Sequence, residues 1–149
     1  MKMRTLILLA ALTGLAAAGQ DQSGATAPTE IDKLKAKAES MKEHDRGKIY
    51  SEIARDLTEQ TNREFDEGHP EAASESLKQV LEYAEKASAS AKLKNKKTKD
   101  TEINLRQIAR RLEEIERSLA VEDRPPLTAA VEKVDAIRKD LLEFFLKRG

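Results

Sequence analysis

Apolar side chains recur every three or four residues along most of this chain, a spacing that places them on one face of an α-helix. Four long stretches follow the pattern, and short polar or proline-containing segments separate them. The four apolar faces consist of Ile49, Ile53, Ala54, Leu57 and Phe65; of Ala73, Leu77, Val80, Ala84, Ala87 and Ala91; of Leu105, Ile108, Leu112, Ile115 and Leu119; and of Leu127, Ala130, Val134, Ile137, Leu141 and Phe144. Each stretch is therefore predicted to be an amphipathic helix.

Breaks in the pattern set the expected ends of these helices. At residues 44–47 the apolar face is interrupted, so that either one long helix bends there or two helices meet. Gly68 and Pro70 predict a stop and a restart, because glycine favours the position just after a helix and proline suits its first turn. Pro125 and Pro126 mark the start of the last helix in the same way.

A shorter apolar stripe over residues 31–41 precedes the first long helix. Thr29 and Asp32 have the spacing of a capping box, which predicts a helix start at this point. This segment either extends the first helix or lies across the end of the bundle. The second long helix carries alanines in its later half, among them Ala87 and Ala91, so a partner helix is expected to approach it closely there.

The predicted fold is therefore all-α. Segments of alternating polar and apolar residues, which would indicate strands, are missing from the sequence. The links between the helices are short, which is typical of antiparallel neighbours. We expect an up-down-up-down antiparallel bundle of about four long amphipathic helices, with a short extra N-terminal helix as a variant of this arrangement.

The N-terminus has the pattern of a secretory signal peptide. Lys2 and Arg4 precede an apolar run over residues 6–15 that ends in small alanine residues. This run is too short to span a bilayer, which requires about 20 residues. The predicted organisation is a signal peptide over residues 1–18, a flexible leader over 19–28 and one helical domain over 29–149. The protein is thus expected to be exported, periplasmic or extracellular, and of bacterial origin.

Composition and charge narrow the range of functions. Without the signal peptide, acidic residues slightly outnumber basic ones, so the chain has no global positive charge to attract nucleic acid. The chain contains no cysteine, and its histidines, His44 and His69, lie beside helix breaks. A single acid-x-x-His spacing is not sufficient for a dimetal bundle, which uses two such motifs. We expect no catalytic residue, no metal site and no cofactor.

Two features form the candidate interaction surface. Five lysines lie close together between the second and third long helices, and the C-terminal helix carries more apolar residues than one narrow face requires. The residues are Lys92, Lys94, Lys96, Lys97 and Lys99, with Leu142, Phe145 and Leu146. The lysines form either a docking patch or a solvated link, and the latter is favoured. The C-terminal helix either docks a partner or is covered by residues 31–41, and again the latter is favoured.

Residues 48–92 resemble the helical hairpin of a tetratricopeptide repeat. The likeness rests on the sequence from Phe65 to Gly68, followed by Ala72, Ala73 and Leu77. It implies a surface that binds a peptide or a protein, and no catalysis. The rest of the chain resembles uncharacterised exported helical bacterial proteins, which imply no function.

The functional prediction is a non-catalytic exported protein that acts through protein–protein interaction, as an envelope structural element, an adaptor or a holdase. The alternative is a protein that associates with lipid or a membrane surface through amphipathic helices. The expected partner is another protein, with an anionic envelope surface and weak self-association as further candidates. Nucleic acid is not an expected partner.

Overall fold

The computed structural model describes residues 28–94 and 98–148, apart from the side chain of Lys94. Within these residues the chain forms five α-helices and no strand, which confirms the all-α prediction. The helices are α1 (Glu30–Ser40), α2 (Gly47–Asp66), α3 (Pro70–Lys94), α4 (Thr98–Ser118) and α5 (Pro125–Leu146). Two short 3-10 turns, Glu43–Asp45 and Val121–Asp123, precede α2 and α5. The predicted signal peptide and residues 19–27 of the predicted leader lie outside the described residues.

The helices form two antiparallel hairpins, α2 with α3 and α4 with α5, which make the most extensive contacts in the molecule. Between the hairpins, however, the neighbouring helices run parallel. Asn104 of α4 donates a hydrogen bond to Ser51 of α2 over 2.8 Å, and Arg111 pairs with Glu59 over 2.7 Å. Because both partners advance together along the two helices, α2 and α4 point in the same direction.

The other two long helices are related in the same way. Lys92 of α3 forms an ion pair with Asp140 of α5, and Glu85 pairs with Lys133 over 3.8 Å. The second hairpin therefore stacks beside the first in the same orientation. Chain direction still alternates from helix to helix, but the connection between α3 and α4 crosses from one hairpin to the next.

The predicted apolar faces build one shared core. On α3 every residue of the predicted face is buried, from Ala73 to Ala91. On α4 and α5 the buried residues are Leu105, Ile108, Leu112, Ile115, Leu127, Ala130, Val134 and Leu141. Phe144 is the exception, because it lies half-buried outside the core cluster. Its prediction as an inward residue was wrong, since Phe145, one position further along the helix, is the aromatic residue of this turn that packs against the core.

Two helices meet at residues 44–47, and Gly47 brings α2 against α3. A Cβ atom on Gly47 would lie 3.2 Å from the carbonyl oxygen of Ala87 and 3.3 Å from the Cβ atom of Ala91. Ser90 fixes the same contact by donating a hydrogen bond to the carbonyl oxygen of Glu43. The predicted close approach at the small residues of α3 is confirmed.

The predicted helix ends are confirmed at both positions with special backbone chemistry. Thr29 accepts a hydrogen bond from the backbone N–H of Asp32, whose carboxylate in turn accepts from the backbone N–H of Thr29. Gly68 has a positive φ of 77°. The backbone N–H groups of Gly68 and His69 donate to carbonyl oxygens of the last turn of α2. Glycine suits this position because it adopts positive φ without steric cost.

Helix α1 lies antiparallel along α2. Its first turn lies beside residues 56–63, and Lys37 and Met41 near its end lie beside residues 45–52. Ile31, Leu34 and Met41 pack against the core from this side. The expectation that residues 31–41 cover the C-terminal helix was therefore wrong. The short link after α1 makes α2 the nearest apolar face, and no extensive contact joins α1 to α5.

The same connector occurs twice in the chain, before α2 and before α5. The two segments are Ser40, Met41, Lys42, Glu43, His44, Asp45 and Arg46, and Ser118, Leu119, Ala120, Val121, Glu122, Asp123 and Arg124. In each, the serine hydroxyl donates over 2.7 Å to a carbonyl oxygen of the preceding helix. The arginine Nε donates to the carbonyl oxygen of Met41 or Leu119, over 2.9 and 3.0 Å. A cation at a helix C-terminus also offsets the helix dipole.

Candidate functional site

Lys92 and Lys99 of the lysine cluster lie at the same end of the molecule as the last turn of the C-terminal helix. Lys92 is half-buried, paired with Asp140, and its ammonium lies 5.8 Å from the ring centre of Phe144. Lys99 is exposed in the first turn of α4. The side chain of Lys94, and Lys96 and Lys97 entirely, lie outside the described residues.

The apolar residues predicted on α5 have three different surroundings. Phe145 is half-buried and packs against the core, whereas Leu142 is half-buried without a place in the core cluster. Leu146 is 81% exposed. Leu93, at the end of α3, is also 55% exposed, and the sequence analysis did not single it out. Leu93 could have been identified from the sequence, because it lies between Lys92 and Lys94 of the lysine cluster.

The register of α4 and α5 explains this exposure. Arg138 pairs with Glu102 over 3.3 Å in the antiparallel pair, which brings the first residue of α4 level with about Leu142. The last turn of α5 therefore extends past the start of α4. Side chains on this last turn have no facing helix to cover them, so Leu146 remains exposed.

Cations surround the aromatic ring at this end. The guanidinium carbon of Arg148 lies 4.7 Å from the ring centre of Phe144, the ring that the ammonium of Lys92 also approaches. Lys147 pairs with Glu143 over 3.8 Å. Cations favour the electron-rich faces of aromatic rings, so these contacts hold Lys92 and Arg148 beside the apolar side chains. We define the end surface by its described members Leu93, Lys99, Phe144, Leu146 and Arg148.

The opposite end of the bundle is rich in exposed acidic residues. The turn between α2 and α3 exposes Asp66, Glu67 and Glu71, and the connector before α5 exposes Glu122 and Asp123. At a rise of 1.5 Å per residue, the length of α3 separates the two ends by about 36 Å. At the end surface, by contrast, exposed acidic residues such as Asp100 and Glu143 alternate with the cations, so the bundle is more acidic at the far end than at this one.

A second surface is the outer side of the α4–α5 hairpin, where a shallow groove follows the connector. It is lined by Glu116, Val121, Arg124, Pro125, Thr128, Ala129 and Glu132. Val121 is 70% exposed. An adjoining groove adds Glu113, Arg117 and Val131. We call this surface the lateral groove; it combines apolar side chains with glutamates and arginines.

A pair of tyrosines lies where α1, α2 and α3 meet. The ring centres of Tyr50 and Tyr83 are 5.8 Å apart. The ammonium groups of Lys35 and Lys86 lie 5.4 and 4.8 Å from the ring centre of Tyr83. Burial of Tyr83 raises the pKa of its phenol, and the nearby Lys86 partly opposes this shift. A hydrogen bond to Glu82 raises the pKa of Lys86.

We therefore expect the phenol of Tyr83 to ionise above pH 10 in the folded protein. Its folded pKa is raised above the unfolded value, so the associated stability is present below pH 10 and is lost as the pH rises through the folded pKa. Ultraviolet absorbance of the phenolate, recorded for the protein and for Tyr50→Phe, measures the transition. A midpoint at or below 10 in the folded Tyr50→Phe variant contradicts the expected effect of burial.

The remaining polar clusters connect helices. Arg111 contacts both carboxylate oxygens of Glu59, at 2.7 and 3.0 Å, and also Glu114.

Among the described residues, no group of three or more histidine, cysteine or acidic side chains is placed to hold a metal ion. His69 lies 3.6 Å from Glu67 on the α2–α3 turn, and His44 lies 3.3 Å from Asp45.

Over residues 28–94 and 98–148, no helix combines the length and the apolar character that a membrane span requires.

Comparison of the chain with protein-family models, with curated proteins and with solved structures found no match. The resemblance of residues 48–92 to a tetratricopeptide hairpin stays a prediction.

Proposed function

We propose that this is an exported, non-catalytic protein that acts by binding another protein. The observation that carries the proposal is the uncovered outer side of the α4–α5 hairpin. On the other side of the stack α1 packs along α2, whereas the lateral groove and its exposed Val121 remain open. The tetratricopeptide resemblance of residues 48–92, which implies a protein-binding surface, supports the same function.

The size of this side suits a protein partner. Two neighbouring helices of about 20 residues present a surface about 30 Å long and about 20 Å wide, or roughly 600 Å². A standard protein interface buries about 800 Å² on each partner, so this side is of the right order. The lateral groove contains glutamates and arginines beside its apolar side chains, so it favours a partner segment in which apolar side chains alternate with charged side chains of both signs. An envelope structural element, an adaptor or a holdase would use such a surface.

Site-specific photocrosslinking tests the proposal. A photoreactive amino acid replaces Ala129 in the lateral groove, and in a matched control it replaces Ala72, an exposed alanine on α3. We expect a discrete protein adduct from position 129 in the cells that produce the protein. We expect no such adduct from position 72, and loss of the position-129 adduct when Val121→Glu is added.

Any of three crosslinking results would contradict the proposal. An adduct that forms at both positions, persists in the Val121→Glu variant or does not form at all contradicts binding through the lateral groove. Val121 is largely exposed, so its substitution is expected to change the free energy of unfolding by less than about 0.5 kcal/mol. Circular dichroism melting of the Val121→Glu variant checks this condition.

A further inference from the structure

We propose that the end surface docks on the headgroup region of an anionic lipid bilayer. This inference goes beyond the protein-binding function, because it concerns the opposite end of the bundle from the lateral groove. The occupant is inferred from three observations: exposed aliphatic side chains, cations held beside them, and the charge asymmetry of the whole molecule.

The aliphatic side chains are placed for shallow insertion. Leu146 is 81% exposed and Leu93 is 55% exposed, and both lie at helix ends on the same end of the bundle. Phe144 lies beside them, half-buried against Lys92. Leucine and phenylalanine side chains that project from a folded surface partition into the boundary between headgroups and acyl chains.

Two described cations of the end surface, Lys99 and Arg148, are accessible to headgroup phosphates. Lys99 is exposed, and Arg148 lies 4.7 Å from the ring centre of Phe144. Long basic side chains can reach lipid phosphates while their aliphatic stems lie beside apolar groups. Each lysine or arginine near an anionic membrane surface improves binding about fivefold.

Size and charge favour a bilayer over a protein at this end. The end of a four-helix bundle is about 20 Å across, or roughly 400 Å², which is half of what a standard protein interface buries on each partner. A bilayer does not require a large matched surface, because a few inserted side chains and cations are sufficient. The exposed acidic residues Asp66, Glu67 and Glu71 lie at the far end, so an anionic surface would repel that end and orient the bundle with the end surface toward the lipid.

Fluorescence of an introduced tryptophan tests the proposal. The natural chain has no tryptophan, so Leu146→Trp introduces a single one at the end surface. Val121→Trp is the matched control, because Val121 is an exposed aliphatic residue at the opposite end. The probes are vesicles of phosphatidylcholine alone and vesicles that contain phosphatidylglycerol as about a third of the lipid.

We expect a blue shift of the emission of Leu146→Trp with the anionic vesicles only, and its loss at high salt. Val121→Trp should show no shift under any of these conditions. In vesicle flotation of the natural sequence, Leu146→Ser should reduce the partition coefficient by roughly tenfold. Arg148→Gln should reduce it by about fivefold. Neither substitution should alter the melting temperature, because both side chains are exposed.

Several results overturn the proposal. A blue shift of equal size with neutral vesicles would show that the cations do not contribute to binding. A blue shift of the Val121→Trp variant would show that binding is not specific to the end surface. Absence of any shift or flotation also contradicts it. Sedimentation without lipid tests for self-association. If the protein is a dimer and the Leu146→Ser variant is a monomer, the end surface binds a second copy of the chain and the proposal is wrong. The crosslinking result at position 129 is independent of these outcomes.

Discussion

Leu112→Ala is expected to lower the free energy of unfolding by about 2 to 5 kcal/mol. Leu112 has 0% exposure in the middle of α4 and belongs to the core cluster shared by all five helices. The substitution removes buried apolar contacts and leaves a cavity that the surrounding helices can only partly fill. Urea denaturation followed by circular dichroism at the helical signal measures the change.

Leu93→Ala is the matched control for this experiment. It removes the same atoms from a side chain that is 55% exposed, so its cost is expected to remain below about 0.5 kcal/mol. If Leu112→Ala costs no more than Leu93→Ala, the face of α4 that contains Leu105, Ile108 and Leu112 does not form the core in solution.

Gly47→Val is expected to lower the free energy of unfolding by about 1 to 3 kcal/mol. The Cβ atom alone would lie 3.2 Å from backbone atoms of Ala87 and Ala91, and valine adds two further carbons. Backbone atoms of a helix cannot move aside singly, so α2 and α3 would have to separate. Thermal and urea melting measure the loss.

A second substitution tests whether crowding is the cause. Ala91→Gly alone should destabilise α3 by about 1 kcal/mol, because glycine is a poor helix former. In the Gly47→Val background it removes one of the three close atoms, the Cβ atom of Ala91 at 3.3 Å, so its cost should fall. Additive effects of the two substitutions would show that the two helices are not in close contact at this point.

The sequence was sufficient to predict the helices and most of the core, because both follow from local rules. Leu105, Ile108, Leu112 and Ile115 recur with a helical period, and burial of one face is the only way to remove them from water. The helix ends at Thr29 and Gly68 were also predictable, since capping and positive φ restrict the residue type at single positions.

The buried polar residues were missed for a physical reason. Thr58 and Thr61 have 0% exposure, and each donates its hydroxyl to the carbonyl oxygen one turn earlier on α2. A threonine whose hydroxyl is hydrogen-bonded within its own helix can be buried almost like valine. The spacing of apolar residues does not reveal it, because threonine counts as polar. Ser51 and Asn104 are buried as a pair, and a single sequence does not reveal which residues pair across helices.

The arrangement of the hairpins and the candidate site depended on long-range contacts. The spacing of apolar residues is the same whether α2 lies beside α4 or diagonally across from it, so the parallel neighbours could not be predicted. The lysine cluster and the C-terminal apolar residues were found separately in the sequence. Their meeting at Lys92 and Phe144 follows from the register of α3 with α5, which the pair of Lys92 with Asp140 records.

The repeated connector has a consequence for protein design. The helices around its two copies differ in length and in their place in the stack, yet the serine and arginine contacts are the same. The corner is therefore defined by its serine and arginine side chains, by its own carbonyl groups and by the last turn of the helix before it. Such a corner is a transferable building block, which a designer can insert between two new helices to reverse the chain.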